Sequence, residues 1–164
     1  MDLQEDLKKL QCPINWDLPS TLQAVEETRK KLLVKLESNL DEDDESSSWQ
    51  RLCQLLVLAT LEYRDHNVGS MGILLDKIDA MSKGNQDRFQ TQHIPPIKYV
   101  KNGMQAFCFY KQKACVETES CLAGMKAFEE LSNKDQAAVY AIKACCLMEF
   151  AAYSKHTSED FIET

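Results

Sequence analysis

Glycine and proline are scarce in this 164-residue chain, with 5 and 4 copies. Apolar–polar alternation is scarce as well, and together these shortages exclude a fold built on strands and tight hairpins. No apolar run approaches the roughly 18 residues that a membrane span requires. No charged segment followed by an apolar one opens the chain, as a secretion signal would. Basic residues are the minority, 19 against 26 acidic, for a net charge of −7. A free-standing nucleic-acid binder carries the opposite sign, because phosphate neutralisation supplies most of its affinity. Five of the acidic residues are consecutive, Asp41 to Glu45, and without them the chain carries only about −2. General RNA or DNA binding is thus disfavoured, while a local basic pocket is still permitted.

Chemistry-bearing patterns are also missing. There is no glycine-rich phosphate loop. His66, His93 and His156 lie far apart, in stretches that read as turns or loops, and no nucleophile–base–orienter set surrounds them. Glu26-Glu27, Glu129-Glu130 and the 41–45 run read as solvated faces rather than as paired catalytic carboxylates. Among the 7 cysteines, Cys108, Cys115 and Cys121 form no Cys-x-x-Cys pair. Cys145 and Cys146 are adjacent, which turns their side chains about 100° apart on a helix and prevents them from sharing a metal comfortably. Reduced, core-type thiols in a cytoplasmic protein are the preferred reading, with a regulatory disulfide as the alternative. The expectation is no enzyme, no metal and no cofactor.

What is present is apolar spacing of three and four residues, hence an all-α fold. Residues 2–10 read as a short amphipathic helix that Pro13 stops. Cys12, Ile14, Trp16 and Leu18 form an apolar tether folded back on the first helices, and Ser20 caps a second helix running to about Leu40. Its apolar face takes in Leu22, Val25, Leu32, Leu33 and Leu36. The expected divisions are 1–40 for these amino-terminal helices and 41–48 for an acidic, serine-rich linker. A helical hairpin follows at 49–83, with Gly69 and Gly72 read as points of close helix approach. A proline-containing loop occupies 84–96, where Pro95-Pro96 bars any helix from passing through. A second hairpin covers 97–131. A third repeat, 132–164, has its first helix from about Lys134 to Tyr153 and no complete partner, so the chain is expected to be truncated.

Ala106 and Ala141, small residues placed where helices would press together, are 35 positions apart. That is close to the 34-residue period of tetratricopeptide repeats. The fold expected is therefore a short right-handed superhelix of stacked hairpins with the third repeat incomplete.

The opening segment Leu7-x-x-Leu10-x-Cys12-x-Ile14-x-Trp16-x-Leu18 resembles the amino-terminal signature of the interferon-induced proteins with tetratricopeptide repeats, with Ile14 replacing an aromatic residue. The Leu55-Leu56 first repeat, the Met/Tyr/Phe-rich second one and the Leu131-Ser132-Asn133 connection are similar as well. The resemblance implies a cytosolic, interferon-induced antiviral scaffold whose partners are single-stranded RNA with a 5′-triphosphate or cap, other tetratricopeptide-repeat proteins, or a second copy of itself. It puts Tyr140 in the place of a family Trp along the RNA pocket. The family's pocket lysine falls on Ala144, one position from Lys143, so Tyr140 and Lys143 are the candidate RNA-binding residues.

Lys98, Lys101, Lys111 and Lys113, with Lys126, are the best basic patch in the chain, although a solvated face is the preferred reading of them. The aromatic group Phe107, Phe109 and Tyr110 reads as core in preference to a base-stacking platform. The competing reading is a helical adaptor that binds only proteins, pairing through residues 20–40 and 49–81.

Overall fold

The computed structural model describes residues 2–38, 45–83 and 89–162. They form seven α-helices, with no strand among the described residues. The all-α expectation therefore holds.

Helix α1 (Leu3–Lys8) is shorter than expected. It is capped by Asp2, whose carboxylate accepts hydrogen bonds from the Gln4 and Glu5 amides at 3.1 and 3.5 Å. It ends well before Pro13, which instead opens the 3-10 turn Pro13–Asn15. The Asn15 amide fixes that turn to the end of α1 by donating to the carbonyls of Leu7 and Leu10 at 2.9 and 2.7 Å. The tether is buried as the sequence implies, with Cys12 fully enclosed and Trp16 and Leu18 nearly so.

Helix α2 (Leu22–Ser38) starts after Thr21, not Ser20. The Thr21 hydroxyl accepts from the Ala24 amide at 3.3 Å. Its inward seam is Ala24, Thr28 and Leu32, an i, i+4 row. Leu22 and Leu33, expected inside, are 74% and 48% exposed. The short residues in the seam let α2 lie close to its neighbours, which rotates the bulkier leucines outward.

Helix α3 (Glu45–Arg64) begins four residues before Trp49, so residues 45–48 of the expected linker are helical; residues 41–44 lie outside the described residues. Every side chain from Leu52 to Leu61 is buried. A helix enclosed on all sides is the central element of a small domain, and α2, α4, α5 and α7 all pack on α3. The turn after it carries His66 in the left-handed region, at φ 63°. There the Asn67 amide reaches the Glu62 carbonyl at 2.9 Å and closes the helix end.

Helix α4 (Val68–Lys83) completes the first hairpin with Met71, Leu74, Leu75, Ile78 and Met81 inward. Gly69 and Gly72 are not points of close approach: a Cβ at either would meet nothing within 4 Å. They sit off the buried stripe. The close approach is at Gly103 on helix α5 (Ile94–Lys111), against the tether. Pro95 and Pro96 do not lie in a loop; they occupy the first turn of α5, where a missing N–H costs nothing. Helix α6 (Cys115–Ala123) is short.

Helix α7 (Asn133–Ile162) is about 45 Å long at 1.5 Å per residue. It runs past the expected end at Tyr153 in one piece. Ser132 caps it by accepting from the Asp135 amide at 3.1 Å. Its buried stripe is Val139, Ile142, Cys146 and Phe150, and Ala141, expected at a helix contact, is exposed. Ala106, its counterpart on α5, is buried. Helix α7 packs against α5, α3 and α2, so it closes over the first hairpin as well as continuing from the second.

Candidate interaction surfaces

The four lysines of the expected basic patch are spread along α5 and the turn after it. Lys98 and Lys111 are 13 residues apart, which is about 20 Å of helix. Lys101 is largely buried and pairs with Asp79 of α4 at 2.9 Å. Lys111 donates to the Tyr63 carbonyl at 2.8 Å and lies 4.0 Å from the centre of the Tyr63 ring. Lys98 is exposed; Lys113, also exposed, sits in the turn with φ 61°. Two of the four ammonium groups thus tie helices together. The reason is local: α5 packs on α4 and on α3, and the Asp79 carboxylate of the one and the Tyr63 carbonyl of the other take the two ammonium groups. Lys126 stands apart from them, on the rim of a 280 Å³ pocket between α1, α5 and α6.

Tyr140 is half exposed and closes an aromatic row. Its ring meets Phe128 edge-on at 5.4 Å, and Phe128 meets Tyr99 at 6.0 Å. Lys143 is three residues on and therefore on the adjacent turn of the same helix side. Phe107 is core, edge-on to Tyr63 at 5.8 Å, while Phe109 and Tyr110 are half-buried. His66 is in a turn and His93 ends a 3-10 turn, 5.3 Å from the Trp49 ring. His156 is in helix α7, not in a loop.

A groove of about 230 Å³ opens between α2 and α4, with α3 as its floor. Leu33 from α2 and Ile73 and Leu74 from α4 line it. Ile73 is 61% exposed, and Val34, beside Leu33 in the chain, 66%. At its rim the Arg29 guanidinium bridges Glu62 and Asp65, which cancels its charge.

A second pocket, about 330 Å³, lies where α2, α3 and α7 meet; Lys35, Gln50, Cys53, Gln54, Cys145, Met148 and Glu149 line it. The Glu149 carboxylate is mostly buried, 3.5 Å from the Lys35 ammonium and 3.8 Å from that of Lys31. Lys31 also donates to the Glu149 carbonyl at 2.8 Å. Burial first, and then the neighbouring Lys35, lower the Lys31 pKa, and Glu149 only partly offsets them. The Oε1 of Gln54, a nearly fully buried residue, has no hydrogen-bond partner among the described residues.

Cys53 of α3 and Cys145 of α7 both line that pocket. Interaction with the Cys53 thiol is the largest cause that raises the Cys145 pKa, followed by burial. For Cys53 the interaction with Cys145 pulls downward, but that with Cys146 and burial outweigh it and raise the thiol. Sequence spacing gave no sign of this cluster, because Cys53 is 92 residues from Cys145 and only the α3–α7 crossing joins them. Among the described residues no group of three or more His, Cys, Asp or Glu side chains is arranged to hold a metal ion. No helix among them is long and apolar enough to cross a membrane. No family model, curated protein or solved structure matches this chain.

Proposed function

We propose that this chain is a non-enzymatic interaction scaffold of stacked helical hairpins, cytosolic and antiviral in the manner its resemblance to the interferon-induced tetratricopeptide-repeat proteins implies. The succession α3–α4, α5–α6, then α7 supports reading the arrangement as a short right-handed tetratricopeptide superhelix with the third repeat incomplete. The packing of α4 on α5 is the contact that plan needs between consecutive hairpins. The partner is a second helical-repeat chain, and a second copy of this one meets the requirement.

The observation that carries this reading is the apolar groove between α2 and α4, whose Leu33 and Ile73 are left open to solvent. The exposed surface of α2 carries Lys30 before Leu33 and Glu37 after Val34. Two copies laid antiparallel about a two-fold axis at Leu33 and Val34 place each Lys30 beside the partner's Glu37. Sedimentation equilibrium at rising concentration tests the reading. The wild type should dimerise, and Ile73→Glu and Leu33→Glu should each be monomeric with unchanged helicity. A wild type that is monomeric at every concentration overturns it.

A second reading, binding of an RNA 5′ end, is favoured by one feature, the half-exposed Tyr140 ring with Lys143 one turn on. Filter binding of 5′-triphosphate against 5′-hydroxyl RNA at rising salt decides it. Equal and very weak retention of both RNAs removes that reading.

A further inference from the structure

Helices α3 and α7 cross where Cys53 faces Cys145, and the two differ in access. Cys53 is 2% exposed, while Cys145 is open to solvent. Both line the same pocket at the α3–α7 contact, which places the two thiols on one cavity. The adjacent Cys146 also lies against Cys53, its thiol 3.9 Å from the Cys53 carbonyl, but it is fully buried. Helix α7 therefore presents one thiol to solvent and one to the core, and only the first is open to an oxidant.

We propose that Cys53 and Cys145 form a redox modification site in which a peroxide converts the pair into a disulfide tying α3 to α7. The Cys145 sulfur, as thiolate, attacks one peroxide oxygen and becomes a sulfenic acid, and the O–O bond breaks to release one water or alcohol. The Cys53 sulfur then attacks the sulfenic sulfur, giving up its proton as the hydroxyl departs as a second water. Two thiols have lost two electrons and two protons, and the peroxide has gained both. A small thiol reductant reverses the bond. Lys35 from α2 and Glu149 from α7 flank the site with opposite charges, and the raised thiol pKa values keep the pair protonated at neutral pH. The site is accordingly slow, and fills only under sustained peroxide. It uses the α3–α7 crossing alone and is independent of the α2–α4 groove.

The full chain, reduced and then freed of reductant, is held in a sustained excess of hydrogen peroxide, blocked with an alkylating agent and digested without reduction for mass spectrometry. The expected product is an intramolecular peptide pair joining Cys53 to Cys145, removed by dithiothreitol and accompanied by a rise in Tm of several degrees. Cys145→Ser, a change at an exposed position, should lose the link and the Tm rise. Cys146→Ser and Cys115→Ser should keep both. Linkage through Cys146 or Cys115 overturns the proposal, as does conversion of Cys145 to sulfinic acid with Cys53 still alkylatable.

Discussion

Gly103 on α5 faces Cys12 of the tether so closely that a Cβ on Gly103 would lie 3.2 Å from the Cys12 Cβ. Cys12 is fully buried and is followed at once by Pro13, so its Cβ moves only if the backbone moves. This one contact explains why a helix-weakening residue stands in the middle of α5, and how the amino-terminal segment seats against the second hairpin.

Gly103→Ala should therefore destabilise the fold by about 1–3 kcal/mol, because overpacking outweighs the roughly 1 kcal/mol that alanine gains in helix propensity. Gly72→Ala, with open space around its Cβ, should instead stabilise by about 0.5–1 kcal/mol. Urea denaturation of the two variants checks the opposite signs. Equal effects at both positions would mean that the tether does not press on α5.

The tether has a second fastening. Arg64, at the end of α3, donates to the carbonyls of Leu18 and Pro19 at 2.8 Å each. Its Arg64→Met variant keeps the aliphatic stem and leaves two part-buried carbonyls unsatisfied. A loss of about 1–3 kcal/mol is expected, again from urea denaturation.

The legible part of this architecture was the part that periodicity encodes. The helix at Val68–Lys83, the buried tether and the start of α7 at Ser132-Asn133 follow from local pattern and capping chemistry. The seam of α2 was misread because Ala24 and Thr28, not the leucines, set its closest approach. Pro95-Pro96 was misread as a barrier because the same residue that ends a helix also fits its first turn. Lys101 joined a presumed basic patch because its partner, Asp79, lies on a different helix. The Cys53–Cys145 pair was hidden for the same reason: each of these contacts is created by a crossing of helices distant in sequence.

Burial pushes the Cys12 thiol from its ordinary 9.0 up to about 12, with backbone amides of Ile14 and Asn15 opposing only in part. An unfolded Cys12 ionises near pH 9, while the folded one stays protonated. Between these values the unfolded state binds fewer protons, so stability is fully present below pH 9 and falls as pH rises towards 12. This thiol should contribute a slope of about 1.4 kcal/mol per pH unit in that window. Stability measured in reducing buffer from pH 8 to 10.5 should decline, and Cys12→Ala, compared with its own value at pH 8, should decline less steeply.

Native alkylation follows the same burial. Cys115 and Cys145 are exposed, and Cys115 should be labelled by iodoacetamide within minutes at pH 8.5, with Cys145 following far more slowly because the Cys53 thiol and burial hold it protonated. Cys12, Cys53 and Cys146 are buried and should be labelled only on unfolding. Time-resolved mass spectrometry gives the order. Early labelling of Cys12 would show the tether detached from α5.

Removing one positive charge from α5 should have opposite consequences at two positions one turn apart. Lys101 holds Asp79 across the α4–α5 contact at 2.9 Å, with little of either side chain exposed. Neutralising it in Lys101→Gln leaves a mostly desolvated carboxylate, and a loss of about 1–3 kcal/mol is expected. Lys98 is exposed, so Lys98→Gln should change stability by less than about 0.5 kcal/mol. If α5 nonetheless contributes to RNA binding, the order reverses in a filter-binding titration. Lys98→Gln should then weaken retention and flatten its salt dependence, because only an ammonium free to leave water for a phosphate releases counterions. Lys101→Gln, judged at a temperature where it is fully folded, should leave both unchanged. Equal losses of RNA retention in the two variants would place Lys101 at the RNA and break the assignment of its ammonium group to Asp79.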